Sequence, residues 1–350
     1  MSPMGGATAT DRIEPLDADV DAMEVIMRHG GSALRARMGR VERHLERTTA
    51  QAGEPLARHA TGTVLAGGKR LRPLLVLLAA ESAGGVEEDS DREQGLVRAA
   101  VAVELVHSAT LVHDDVIDGA QLRRGCPSVV AAAGRKLAVA TGDLLFSRAF
   151  AELALNGDMA QLQALSDASS ALAEGELLQR EDAYATHVAV ARYLHRCELK
   201  TAALFEAACR LGALLGTGGT RMLADELGAF ARQIGLAFQL LDDVLDVSGP
   251  VQRTGKPRGT DLLDGTVTLP FILAREHDPE LAQFDLASLQ GPEQAERLCE
   301  RIAVTGALQE ARARALELVA QAKATLPHSL PDGRAQLLDL VADAVVERYR

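Results

Sequence analysis

The sequence predicts an all-α fold, on three observations. Alanine and leucine, both good helix formers, dominate the composition. Aromatic residues make up only 3% of the 350 residues and tryptophan is absent, whereas β-rich folds draw on aromatic and β-branched side chains. No stretch shows the apolar/polar alternation of a half-buried strand. At 47% hydrophobic and 25% charged residues the composition is globular, with ample apolar mass for a core.

The elements follow in order. Residues 1–18 are small, polar and acidic, with Pro3 and Pro15, and read as a disordered tail. No linker-like shift in composition follows, so residues 19–350 are expected to form one helical domain. Val20 to Arg47 is a charged helical pattern. Gly67 and Gly68 break the chain, and Pro73 sits near the start of the next helix. ESAGGVEEDSD (81–91) is a loop, and 92–120 is a long, largely apolar helix ending near Gly119. Residues 135–156, 158–182, 187–215 and 220–247 read as four more helices. SGPVQRTGKPRGTDLLDG (248–265) is rich in glycine, proline and charge and lacks an apolar period, which marks a long, functional loop. Helices resume at 266–277, 291–324 and 333–349.

Net charge is −12 and the pI about 5.3, which argues against nucleic acid or an anionic membrane surface as the main partner. The cysteines, Cys126, Cys197, Cys209 and Cys299, are scattered without zinc or redox spacing and read as reduced thiols of a cytoplasmic protein. The N-terminus has neither the basic nor the apolar region of a secretory signal. Apolar runs such as LLVLLAA (74–80) are too short for stable membrane insertion.

Two near-identical acidic motifs carry the chemistry. LVHDDVID ends one predicted helix with Asp114, Asp115 and Asp118; LLDDVLD ends another with Asp242, Asp243 and Asp246. On a helix, positions i and i+4 share a face, so Asp114 projects with Asp118 and Asp242 with Asp246. One such motif alone is as readily a solvated acidic helix end. Two copies in apolar helices would cost far too much without a positive partner between them. Mg²⁺ combines one or two carboxylates with substrate phosphates, so facing helix ends would cage Mg²⁺ bound to a diphosphate. Neither copy has the alternating oxygens and glycine of an EF-hand calcium loop.

These motifs, with GGKRLRP (67–73), DDVIDGAQLRRG (114–125), GEL-Q (175–179), KTAALF (200–205), FQLLDDVLD (238–246) and GKPRGTDLLDG (255–265), resemble those of the trans-isoprenyl (polyprenyl) diphosphate synthases. The resemblance runs from about residue 60 to the C-terminus. It implies a bundle of mostly antiparallel helices around a deep central cavity, a homodimer, and about three Mg²⁺ ions. It also implies the reaction: an allylic diphosphate ionises, isopentenyl diphosphate attacks the cation, and a proton is lost. By motif position, Lys69 and Arg72, with Arg70 beside them, resemble isopentenyl diphosphate ligands, joined by His107 and Arg124. Arg123 and Lys256 resemble ligands of the allylic diphosphate. Lys200 and Thr201 match a pair near the developing cation, and Phe238 and Gln239 precede the second acidic motif as the family pattern expects. All six aspartates would be metal ligands. An ordinary salt bridge to Glu198 or Glu206 is a rival reading for Lys200, and His113 reads as structural. Many relatives carry a lysine where this chain has Thr266, so one diphosphate contact would be missing or supplied by Arg258.

In such enzymes the residues before the first acidic motif set product length. Here they are Ala109 and Thr110, with Val106 and Val103 each about one turn, 5.4 Å, deeper. No aromatic residue lies between 74 and 145, so this face is expected to be open and the product long, about C30–C50, a quinone side-chain precursor by resemblance, unless a neighbouring helix with Phe146, Phe150 or Leu178 supplies the floor. A geranylgeranyl (C20) product is the alternative. A terpene cyclase would lack the second acidic motif and the GGKRLRP site, and a non-catalytic subunit of a heteromeric synthase would tend to lose motif residues.

Overall fold

The computed structural model describes residues 22–249, 258–327, 330 and 332–347. The expected N-terminal tail (1–18) and Lys256 lie outside the described residues. The chain starts with α1 (Ala22–His29), α2 (Gly31–Ala50), α3 (Leu56–Leu65), α4 (Leu71–Ser82) and α5 (Asp91–Asp118). A two-residue hairpin, β1 (Leu122–Arg123) with β2 (Cys126–Pro127), follows. Then come α6 (Val129–Ala133), α7 (Arg135–Ala154), α8 (Met159–Glu181) and α9 (Val190–Cys197). A π turn (Glu198–Ala202) leads into α10 (Ala203–Leu215) and α11 (Arg221–Ser248). The C-terminal part contains α12 (Thr260–Leu263), α13 (Leu269–His277), α14 (Pro279–Ala282), α15 (Pro292–Val304), α16 (Ala307–Ala324) and α17 (Asp332–Glu347).

Among the described residues the fold is an all-α bundle, with one two-residue hairpin as its only sheet. Its centre is α4, buried at every position from Pro73 to Ala80, packed against α5 and α10. Such a helix has no polar face because it meets protein all round. The same is true of α5. That helix is apolar and long enough to cross a bilayer, yet 78% of its most apolar stretch is buried inside the protein. Its ends are specified locally. Ser90 accepts a hydrogen bond from the Glu93 amide, the Ser-x-x-Glu arrangement of a helix start, and Gly119 closes the helix at φ 64°. Glu93 also ties α2 to α5, receiving Arg37 Nε at 3.0 Å and an Arg40 guanidinium nitrogen.

Several boundaries differ from the expectations. The first predicted helix is split at Gly30–Gly31, and the 291–324 segment at Gly306, which sits at φ 88°. Helices α3 and α6 and the small hairpin were not anticipated. The hairpin arises because Arg124 and Gly125 both take positive φ, 52° and 78°, as a two-residue hairpin turn requires. The predicted 187–215 helix is interrupted by the π turn. The 248–265 loop contains the short helix α12, and residues 250–257 are outside the described set.

Candidate active site

The C-terminal ends of α5 and α11 meet at a cavity of about 440 Å³. Asp114 from α5 and Asp242 from α11 line it. Burial pushes the Asp114 carboxyl up to about 6. The second aspartate of each pair turns away. Asp115 is 3% exposed and accepts Arg123 Nε at 2.9 Å, with a second guanidinium nitrogen on the same oxygen. Asp243 is equally buried. Its Oδ2 accepts the Tyr193 hydroxyl at 2.6 Å and its Oδ1 the Gln239 amide at 2.8 Å. Burial, and then the charge of Asp261, raise its pKa. Asp118 is bonded to Arg180 of α8, and an Asp246 oxygen lies 3.4 Å from the Asp261 amide. Of the six aspartates expected as metal ligands, Asp115, Asp118 and Asp243 are thus bonded to protein donors here. Helix geometry points Asp114 and Asp242 into the cavity.

The π turn carries Lys200 and Thr201 to the cavity wall. Two glycines allow this: a Cβ on Gly175 of α8 would lie 2.6 Å from the Lys200 amide nitrogen, and one on Gly235 of α11 would lie 2.8 Å from Ala202 Cα. The glycine of the GEL-Q motif thus lets backbone meet backbone. Lys200 bonds Glu176 of that motif and lies 3.9 Å from Asp114. The rival reading of Lys200 is not supported, because Glu198 and Glu206 pair instead with Arg232. Thr201 donates to Gln239 Oε1 at 2.7 Å.

The opposite wall is basic. Lys69, Arg72, His107 and Arg124 all line it. The Arg72 guanidinium lies 4.9 Å from the Phe205 ring centroid. Its Nε is buried without a hydrogen-bond partner, and burial draws its pKa down to about 10. A buried orphan donor of this kind suits an incoming oxyanion. His107 is kept neutral by burial, then by Arg72 and Arg124. Arg124 sits at the strained tip of the hairpin, its guanidinium lying where a Cβ on Gly68 would be, 2.9 Å from Nη1. Phe238 lines the cavity beside Phe205, ring centroids 5.6 Å apart.

Three further expectations change. Arg70 lines the cavity, but its guanidinium is committed to Glu42 (2.7 and 3.2 Å), Glu104 (2.7 Å) and the Val64 carbonyl (2.7 Å), so it is a structural cross-link. Arg258 does not replace the missing lysine: it donates to the Val247 carbonyl at the end of α11 and lies 4.0 Å from Glu296. Along α5, only part of the expected chain-length face reaches the cavity. Thr110 lines the cavity, but Ala109 and Val106 are fully buried in helix packing. Leu111, Leu172 of α8 and Leu204 of α10 are among the apolar side chains that line the cavity. His113 packs on Phe146 and over Gly142, as a structural histidine does.

Among the described residues, no three acidic, histidine or cysteine side chains converge tightly enough to hold a metal by themselves. That fits a cation bridged to phosphate oxygens, which needs only one or two carboxylates from protein. The aspartates of the two motifs would hold it. Lys200 lies 3.9 Å from Asp114, and Arg180 pairs with Asp118. Glu176, Arg180, Tyr193, Leu172 and Asp261 were not singled out from sequence; only Glu176 and Asp261 fall inside a recognisable motif.

The sequence pattern of the polyprenyl synthetase family matches residues 54–304. The chain is 42% identical over 234 residues to heptaprenyl diphosphate synthase component 2 of Geobacillus stearothermophilus, covering 67% of this chain and 71% of that one. It is 35% identical over 302 residues to geranylgeranyl diphosphate synthase of Methanosarcina mazei, covering 84% and 90%. A polyprenyl synthase from Caulobacter crescentus CB15, crystallised with calcium and isoprenyl diphosphate, superposes with a TM-score of 0.85 at 34% identity, covering 96% of this chain and 100% of that one. The chain therefore belongs to the polyprenyl synthetase family, the trans-isoprenyl diphosphate synthases, and is a prenyl-transferring enzyme.

Proposed function

We propose that this enzyme condenses isopentenyl diphosphate with an allylic diphosphate to make an all-trans long-chain polyprenyl diphosphate of about C30–C50. One observation carries the reading: a single cavity is lined by carboxylates from two helices, by the basic groups Lys69, Arg72 and Arg124, and by apolar side chains. The allylic C–O bond breaks and diphosphate leaves. The isopentenyl double bond forms the new C–C bond, and a proton is lost to the released diphosphate. About three Mg²⁺ ions would neutralise the leaving diphosphate.

The protein's own groups do the rest. Lys69, Arg72 and Arg124 hold isopentenyl diphosphate, with neutral His107 as a hydrogen-bonding partner. Lys200 and Thr201 line the path between the two walls, where the cation develops. The homodimer of the family resemblance and a cytoplasmic setting belong to the same proposal, and the free cysteines among the described residues agree with a reducing compartment.

Product length rests on the absence of an aromatic floor on α5. A second reading has a specific observation in its favour: Ala109 and Val106 of α5 are fully buried while Leu172 and Leu204 line the cavity, which would suit a C20 product. Incubation with Mg²⁺, labelled isopentenyl diphosphate and geranyl, farnesyl or geranylgeranyl diphosphate separates them. A product ladder reaching C30 or beyond supports the long-chain reading, and a stop at C20 replaces it.

A further inference from the structure

Tyr193 is completely buried on α9 and does not reach the cavity. Its hydroxyl donates to Asp243 Oδ2 at 2.6 Å. Asp243 Oδ1 accepts Gln239 Nε2 at 2.8 Å, and Gln239 Oε1 accepts the Thr201 hydroxyl at 2.7 Å. One hydrogen-bonded chain thus runs from α9 through α11 to the π turn. Thr201 and Gln239 are its two members that line the cavity, and Asp242 is the immediate neighbour of Asp243. The far end is rigid. Arg196 lies 5.3 Å from the Tyr193 ring centroid and is itself tied to Asp182 at 3.3 Å and to the Val267 carbonyl at 2.6 Å.

We propose that Tyr193 is a positioning residue: through Asp243 it orients the acidic end of α11 and the π turn as one unit, so that Asp242 and Thr201 face the bound diphosphate together. Donors behind a ligating carboxylate fix its direction, and their loss typically costs about 10–100-fold in metal affinity or activity. A phenylalanine would keep the packed ring and remove only the hydroxyl. The basic groups that take isopentenyl diphosphate lie on other elements: the 67–70 segment, α4, α5 and the hairpin. The inference rests on the reading of Asp242 as part of a Mg²⁺–diphosphate site.

The test is calorimetric titration of Tyr193→Phe and the unaltered enzyme with Mg²⁺ in the presence of inorganic diphosphate, alongside KM for isopentenyl diphosphate. The expected result is Mg²⁺ binding weaker by about 10–100-fold with that KM unchanged. Equal Mg²⁺ binding by the two proteins overturns the proposal. So does a parallel loss of isopentenyl diphosphate affinity, which marks general loosening. No binding by the unaltered enzyme would instead overturn the diphosphate-site reading itself, and the inference with it. If Tyr193→Phe fails to fold, hydrogen exchange on the unaltered enzyme decides. Mg²⁺ with inorganic diphosphate should protect residues 198–202 and 239–246 together, and protection of one segment alone refutes the coupling.

Discussion

Asp114 shows what burial does to a carboxylate that must meet a cation. Its pKa stands at about 6, against an ordinary 3.8, because burial disfavours its charge. The folded, metal-free state thus holds this proton more tightly than the unfolded chain. Stability from this group is full below pH 3.8 and is lost as pH rises to about 6. Cation binding has the opposite sign, since the proton must leave first. Binding of Mg²⁺ with inorganic diphosphate should therefore weaken as pH falls through about 6, and Asp114→Asn should flatten that dependence while cutting turnover by about 10²–10³-fold. A binding curve independent of pH in the unaltered enzyme would count against the assignment. At this scale the sequence was informative wherever spacing decided direction, as with Asp114 and Asp118. It was silent where partners come from afar. Arg70 finds Glu42 and Glu104 only through folding, from 28 and 34 residues away, and nothing near GGKRLRP announces them.

At the scale of elements, the π turn decides where the Lys-Thr pair points. A continuous helix over 187–215 satisfies the apolar period equally well, so the interruption leaves no trace in composition. Its sequence signal is indirect: the small residues of the helices that press on it. Gly175→Ala should show this. A methyl there meets the Lys200 amide nitrogen at 2.6 Å, so the turn must move. Overpacking of this kind costs about 1–3 kcal/mol, and turnover should fall with it. Thermal melting and steady-state rates would check both, and an unaltered melting temperature with full activity would show that the contact is slack. The hairpin was likewise hidden. Arg124 in a positive-φ position is not what turn statistics favour; Gly125 alone hinted at the turn.

At the scale of the whole molecule, α4, α5, α8, α10, α11 and α17 all contribute to one cavity, and on the proposed function its apolar side chains set what can grow inside. The absence of aromatics on α5 was legible, but not which side chains of other helices, such as Leu172 and Leu204, line the cavity. Leu172→Ala should lengthen the product distribution, and Ala109→Phe should destabilise the packed α5 by about 1–3 kcal/mol rather than act as a plug. Chromatography of the dephosphorylated products with melting curves would check the pair; a shortened product from a stable Ala109→Phe enzyme would restore the α5 face as the floor. The most direct measurement for the whole account is a condensation assay with farnesyl diphosphate, labelled isopentenyl diphosphate and Mg²⁺, counting diphosphate released against C–C bonds formed. One diphosphate for each isopentenyl unit incorporated, abolished by chelation, is the predicted result; farnesyl diphosphate hydrolysis without incorporation of label would contradict it.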